Sequence, residues 1–223
     1  PAYFGMSERQ ATKTAGELAG LNVLSIINEP TAAALSYGAL SGGQNETVLV
    51  YDLGGGTFDI TVINVQENEI TVVCTGGDDT LGGKNWDETL MDYVIARYEE
   101  ETGTDLSEDM DAMAALYVDV EIWKKALTSR ESVKIVVNGP SGRFQEALTR
   151  EQYEDLTRSL LNRTKNLLDD VLDTAARKGY PLKAIDKILL VGGSSRMPQV
   201  ARMIERDYCK TPMLQDPDES VAK

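Results

Sequence analysis

The sequence predicts an α/β protein in which a mixed β-sheet is flanked by helices and interrupted by an inserted α+β block. Three observations carry that expectation. Glu46 to Leu53, Thr57 to Val65 and Ile70 to Thr75 follow one another through short turns, as a three-strand meander would. A later apolar run, Lys187 to Val191, passes through two glycines straight into a helix start at Pro198. Between these regions, from Gly82 to Leu148, helical periodicity followed by a hairpin signal breaks the pattern.

Taken in order, Ser7-Glu8-Arg9-Gln10 has the capping-box pattern, and Ala11, Ala15, Leu18 and Ala19 then share one helical face that Gly20 closes. Leu21 to Ile27 is short, apolar and rich in Val and Ile, and reads as a buried strand. Pro30 suits the first position of an alanine-rich helix, which puts Glu29 at a strand-to-helix junction. Within the inserted block, Trp86, Leu90, Tyr93, Val94 and Tyr98 form an amphipathic set broken at Thr102-Gly103-Thr104-Asp105. A second helix is expected from about Glu108 to Leu127, and then a hairpin of Glu131 to Val137 with Phe144 to Leu148. Thr149 to Gln152 is another capping box. It opens one long helix whose stripe of Tyr153, Leu156, Leu160, Leu167, Val171 and Ala175 ends at Gly179, with Pro181 beyond.

Composition removes several function classes. The net charge of −14 argues against a nucleic-acid surface, whose affinity depends on neutralising phosphates. With no histidine in the chain, Ser-His-Asp and Cys-His catalysis and His-bearing zinc sites are all excluded. Cys74 and Cys209 form no C-x-x-C pair and read as core or surface thiols of a reducing compartment. No apolar run approaches the ~20 residues of a membrane span, and no signal peptide is visible, so a cytoplasmic, membrane-free location is expected. A start at Pro1 rather than Met reads as a piece of something longer.

The stretch Asp52-Leu53-Gly54-Gly55-Gly56-Thr57-Phe58-Asp59 holds the strongest chemical signal. Glycines let backbone N–H groups approach an anion closely, and Thr57 adds a hydroxyl donor. Asp52 and Asp59 would repel a phosphate unless a cation stood between, which suggests Mg²⁺ held mostly through water. Alone, the same residues also suit an ordinary glycine turn with solvated aspartates. Gly192-Gly193-Ser194-Ser195-Arg196 joins a strand to a helix start and reads either as a second phosphate or nucleoside platform or as a plain β-α turn.

Together these motifs resemble the nucleotide-binding domain of the 70-kilodalton heat-shock chaperones, the DnaK family, within the actin-like (ribonuclease H-like) ATPase superfamily. The resemblance rests on Pro1 to Phe4, Asn28 to Ala34, Asp52 to Asp59, Leu81-Gly82-Gly83, Val191 to Pro198 and Asp216 to Ala222, in the family's order and at similar separations. It implies ATP or ADP with Mg²⁺, and K⁺ as a candidate further ion. Gly54, Gly55, Gly56 and Thr57 would face the β and γ phosphates, and Glu29 and Asp52 would organise the metal's hydration shell and the attacking water. Thr57 and Asp59 would stand near the γ-phosphate and its ions. Gly192, Gly193, Ser194 and Arg196 match the adenosine platform, and Asp218 an acid near the nucleoside. Glu121, Lys124, Lys125 and Thr128 match a helix covering adenine and ribose, and their spacing puts all four on one face. Pro1 and Arg9 match regulatory positions that relay nucleotide state.

The resemblance further implies a stress-response chaperone whose extended peptide clients bind a domain outside this chain, helped by a J-domain co-chaperone and a nucleotide-exchange factor. It divides the chain into the tail of a first lobe (1–42), a second-lobe core (43–81 and 149–215), the insert (82–148) and the start of a return segment (216–223). Where the family has two acidic residues and Phe after Leu-Gly-Gly, this chain has Lys84, Asn85 and Trp86, and Lys125 stands where some members have Arg. Two alternatives remain: another actin-like ATPase, or a divergent, weakly active regulatory module.

Overall fold

Strand β1 (Glu46–Leu53) is buried almost throughout because it has neighbours on both edges and cover on both faces. A computed structural model describes residues 4–33, 35, 45–66 and 69–214. β2 (Phe58–Gln66) returns antiparallel beside β1, and β3 (Glu69–Asp78) completes the meander. On the other edge β6 (Lys187–Val191) runs parallel to β1, and the two-residue β7 (Met213–Leu214) runs parallel to β6. The order is therefore β3-β2-β1-β6-β7, a mixed sheet as expected.

Alternation along β1 sends its side chains to opposite faces. Leu49, Tyr51 and Leu53 enter the larger core with Phe58, Ile60 and Leu190, under helices α6 (Arg158–Arg177) and α7 (Pro198–Tyr208). Val48 and Val50 pack on the other face with Ile63, Leu189, Val191 and Ala33, the last from a helical stretch that includes 29–33, α2.

The insert consists of α3 (Gly83–Thr102), α4 (Met110–Ser129) and the hairpin β4 (Ser132–Gly139) and β5 (Gly142–Thr149). Trp86, Leu90, Val94 and Tyr98 of α3 are fully buried, and Gly103, at φ 71°, ends the helix. The hairpin is tighter than expected. Its strands reach Gly139 and Gly142, leaving Pro140 and Ser141 at the turn.

Three local expectations are corrected. Helix α1 (Met6–Leu18) starts before Ser7 with Gly5 as its N-cap and no capping side chain, and none of its residues is buried. Leu21 to Ile27 forms no strand: Leu21, Leu24 and Ile27 are exposed, since a strand needs a sheet edge and none of the described strands pairs there. The long helix after Thr149 is two, α5 (Arg150–Leu156) and α6, broken at Thr157. The buried Thr157 hydroxyl donates to the Tyr153 carbonyl (2.9 Å), the kind of side-chain bond that bends a helix.

Candidate nucleotide-binding site

The β1–β2 turn carries the first glycine motif at the C-terminal end of β1. Gly54 N–H donates to the Thr57 carbonyl (3.0 Å), closing the turn, while the flanking Tyr51 and Phe58 rings pack with centroids 4.6 Å apart and planes tilted by 60°. The glycines there do not serve positive φ: among the described glycines that conformation falls at Gly20, Gly103, Gly142, Gly179 and Gly192. What Gly55 and Gly56 provide is space, because nothing lies within 4 Å of where a Cβ would stand.

The loop also receives the start of α3. Gly83 and Lys84 donate their N–H groups to the carbonyls of Gly54 (2.9 Å) and Gly55 (2.8 Å). A side chain at Gly82 would meet the Gly56 backbone at 2.5 Å, so glycine is required for this close approach. Asn85, one of the residues departing from the family pattern, accepts from Gly82 N–H (2.8 Å) and completes the cap.

The second glycine motif is tied to the first through Ser195, whose buried hydroxyl donates to the Val191 carbonyl (2.6 Å) and accepts from Leu53 N–H (3.2 Å). Gly192 has φ 81°, and a Cβ there would lie 2.4 Å from the Leu53 carbonyl oxygen and 2.6 Å from Asp52 Oδ1. The ends of β1 and β6, parallel neighbours, thereby bring both motifs to one edge of the sheet.

Three acids meet at that edge. Asp52 and Asp59 face each other in the β1–β2 ladder, and the charge of Glu29 acts on both. Burial, then the charges of Glu29 and Asp59, push Asp52 up to about 7, and burial raises Asp59 as well. Acids so arranged are relieved by a cation. Among the described residues no three acids or thiols converge closely enough to hold a metal directly, so such an ion would keep most of its water.

A cavity of about 710 Å³ opens between the glycine motifs and α4. Gly55, Gly193, Ser194 and Arg196 line one side, and Glu121, Lys124, Lys125 and Thr128 the other, joined by Lys84, Asp87, Met91 and Tyr117. The four α4 residues do share this cavity but differ in state. Glu121 and Lys125 form an exposed ion pair (2.8 Å), and Thr128 donates to the Lys125 carbonyl (2.7 Å). Lys124 is buried, with its ammonium on Asp87 (2.6 Å) and the Gly83 carbonyl (3.2 Å), so it locks α4 to α3 instead of reaching into solvent. Burial pushes the Asp87 carboxyl up, and Lys124 offsets this only in part.

Glu29, Asp52, Gly54, Gly56, Thr57, Asp59 and Gly192 lie outside that cavity's lining, at the sheet-edge part of the site. Arg9 donates to the Phe4 carbonyl (3.1 Å), a bond within the N-terminal segment, and does not line the cavity. Pro1 and Asp218 lie outside the described residues. Sequence reasoning missed Ser195 and Asp87. The first sat inside a motif already singled out, whereas the second is marked only by its pairing with Lys124 across the fold.

A mixed sheet bearing two glycine turns at one edge, with an inserted block over them, is the lobe architecture of actin-like ATPases. The chain belongs to the Hsp70 family: the family profile described as Hsp70 protein matches residues 1–223. It is also similar to the chaperone proteins DnaK of Thermotoga petrophila, Thermotoga maritima and Thermotoga sp. strain RQ2, each 43% identical over 230 aligned positions covering 100% of this chain. The chain spans 38% of the length of those relatives.

Proposed function

We propose that this chain is one lobe, with the tail of another, of the ATP-binding and hydrolysing domain of a DnaK-like chaperone. The observation that carries the reading is the shared cavity, where residues of both glycine motifs and of α4, distant in sequence, face one volume of nucleoside size. Arg196, Gly193 and Ser194 would support the nucleoside, with Glu121, Lys125 and Thr128 over it. Gly54 to Thr57 would face the β and γ phosphates.

Glu29 and Asp52 would hold a hydrated Mg²⁺ and orient the attacking water, with Thr57 and Asp59 close to the γ-phosphate. The fit rests on the acids' shared corner, where burial and then the charges of Glu29 and Asp59 hold Asp52 above its ordinary range. Bound there, Mg²⁺ would supply charge neutralisation of the phosphates. Phosphoryl transfer needs mainly positioning and electrostatic stabilisation, which suits a chain without histidine. In the parent protein, nucleotide state would control extended-peptide binding elsewhere in the cytoplasmic chaperone, assisted by a J-domain partner and an exchange factor.

Calorimetric titration with Mg-ADP tests the half-site, with Arg196→Ala as the comparison because this side chain is exposed and its loss should spare the core. Binding by the parent chain, weakened about tenfold in the variant, a loss of about 1.4 kcal/mol, is expected. Absence of binding in this chain and in an N-terminally extended chain that includes the other lobe would overturn the reading.

A further inference from the structure

Helix α4 supplies one wall of the large cavity, and its C-terminal turn is completed by a residue from another helix. The last carbonyls of a helix have no partner within it and are usually met by a glycine-turned chain or a nearby cation. Neither is local here. The C-cap Arg130 is extended (φ −109°, ψ 149°), and the last turn holds no basic residue. The Arg130 N–H and the Ser129 hydroxyl both go to the Ala126 carbonyl (2.9 and 3.3 Å), which leaves the carbonyls of Leu127 and Thr128 to be met from elsewhere.

Arg150 meets them. The β4–β5 register pairs Ser132 with Thr149, so the chain returns beside the end of α4, where Arg150 N–H donates to the Glu131 carbonyl (2.8 Å). From that position Arg150 Nε donates to the Leu127 carbonyl (2.7 Å), and Nη2 donates to the carbonyls of Arg130 (2.8 Å) and Thr128 (3.5 Å). The negative end of a helix dipole favours a cation, and the planar guanidinium adds donors spaced to reach separate carbonyls.

α4 is thereby held at two points. Lys124 fixes it to α3 through Asp87 and the Gly83 carbonyl, and Arg150 fixes its end to the start of α5. Lys125 and Thr128, in the turn that Arg150 completes, line the large cavity, whereas Arg150 does not. Thr128 is tied twice, its hydroxyl to the Lys125 carbonyl (2.7 Å) and its own carbonyl to Arg150. We propose, resting on the nucleotide reading of the cavity, that Arg150 is a positioning residue: by completing the end of α4 it sets where Lys125 and Thr128 stand over the nucleoside.

Mg-ADP titrations of Arg150→Met and Arg150→Lys test this, in this chain or, if only that one binds, in the N-terminally extended chain. Loss of the guanidinium should weaken binding about tenfold, and Lys, which keeps the charge but not the fork, should recover part of that loss. Lys125→Ala and its double variant with Arg150→Met separate positioning from general damage. Because Arg150 acts through the turn that carries Lys125, the double variant should fall well short of the product of the two single losses. Losses that multiply would overturn the positioning role, as would unchanged affinity in folded Arg150 variants. Urea midpoints show which variants are folded at the titration temperature, and if Arg150→Met is not, Arg150→Lys takes its place in the cycle. Absence of binding in every parent chain would overturn the nucleotide reading itself, and the role of Arg150 with it.

Discussion

Asp52 stands at the end of β1 with Asp59 opposite and Glu29 close by, so three acids share a corner that burial has partly dried. An unfolded aspartate releases its proton near pH 4, whereas Asp52 in the folded chain holds its proton up to about 7. The folded state therefore binds the proton more tightly, and stability falls as pH rises between those values, then levels off. The full effect is on the order of 4 kcal/mol. Asp52→Asn should accordingly gain on the parent chain in EDTA at about pH 8, with little difference at about pH 4. Urea midpoints at the two pH values would show it, and a constant difference would place the carboxyl in an ordinary environment. Gly192 gives a second prediction at this scale. With φ 81° and backbone 2.4 Å from any added Cβ, Gly192→Ala should lose about 2 kcal/mol or more, read from chemical denaturation.

Among the elements, the hairpin β4–β5 docks on α3 through Tyr98, whose buried hydroxyl accepts from Ser141 N–H (3.0 Å) at the turn. A Cβ at Gly139 would lie 2.6 Å from that hydroxyl, so turn and helix are fitted to each other. Tyr98→Phe should cost about 1 kcal/mol by removing one hydrogen bond, and Tyr98→Ala about 3–5 kcal/mol by also leaving a hole in the core. Denaturation curves of the two variants would separate the bond from the packing. The segment 21–27 behaves oppositely. Leu24 is 88% exposed, so Leu24→Lys should shift stability by no more than about 0.5 kcal/mol, while a buried strand would lose several times that.

On the scale of the whole molecule, the glycine motifs and α4 face one cavity from two sides, and Leu21, Leu24 and Ile27 expose apolar surface. Purified alone, the chain should show negligible ATP hydrolysis. This rests on the proposed function, in which further transition-state contacts come from outside this chain, each worth ~3 kcal/mol, about a hundredfold in rate. Phosphate release above background that disappears in Glu29→Ala would contradict this. The exposed apolar segment should also bind a hydrophobic dye, less so in Leu24→Lys.

Where local pattern and tertiary environment agree, the residues alone were sufficient. The bounds of β1 and β6, the helix from Pro198 and the buried face of α3 all follow from periodicity, glycine and proline placement, since these set backbone conformation and apolar faces directly. The glycine motifs stood out because they are written in contiguous residues, whereas the α4 face was singled out only through the family resemblance, its charges reading by themselves as a solvated helix face. Elsewhere the fold decided. Leu21 to Ile27 has the composition of a strand but none of the described strands pairs with it, and Thr157 breaks a helix whose periodicity continues past it. Lys124 looks like its neighbour Lys125, yet packing against α3 buries one ammonium on Asp87 and leaves the other side chain in solvent. Sequence determines the local preferences of each segment, while burial and partners arise only when segments distant in the chain meet, and those set charge state, exposure and the geometry of the site.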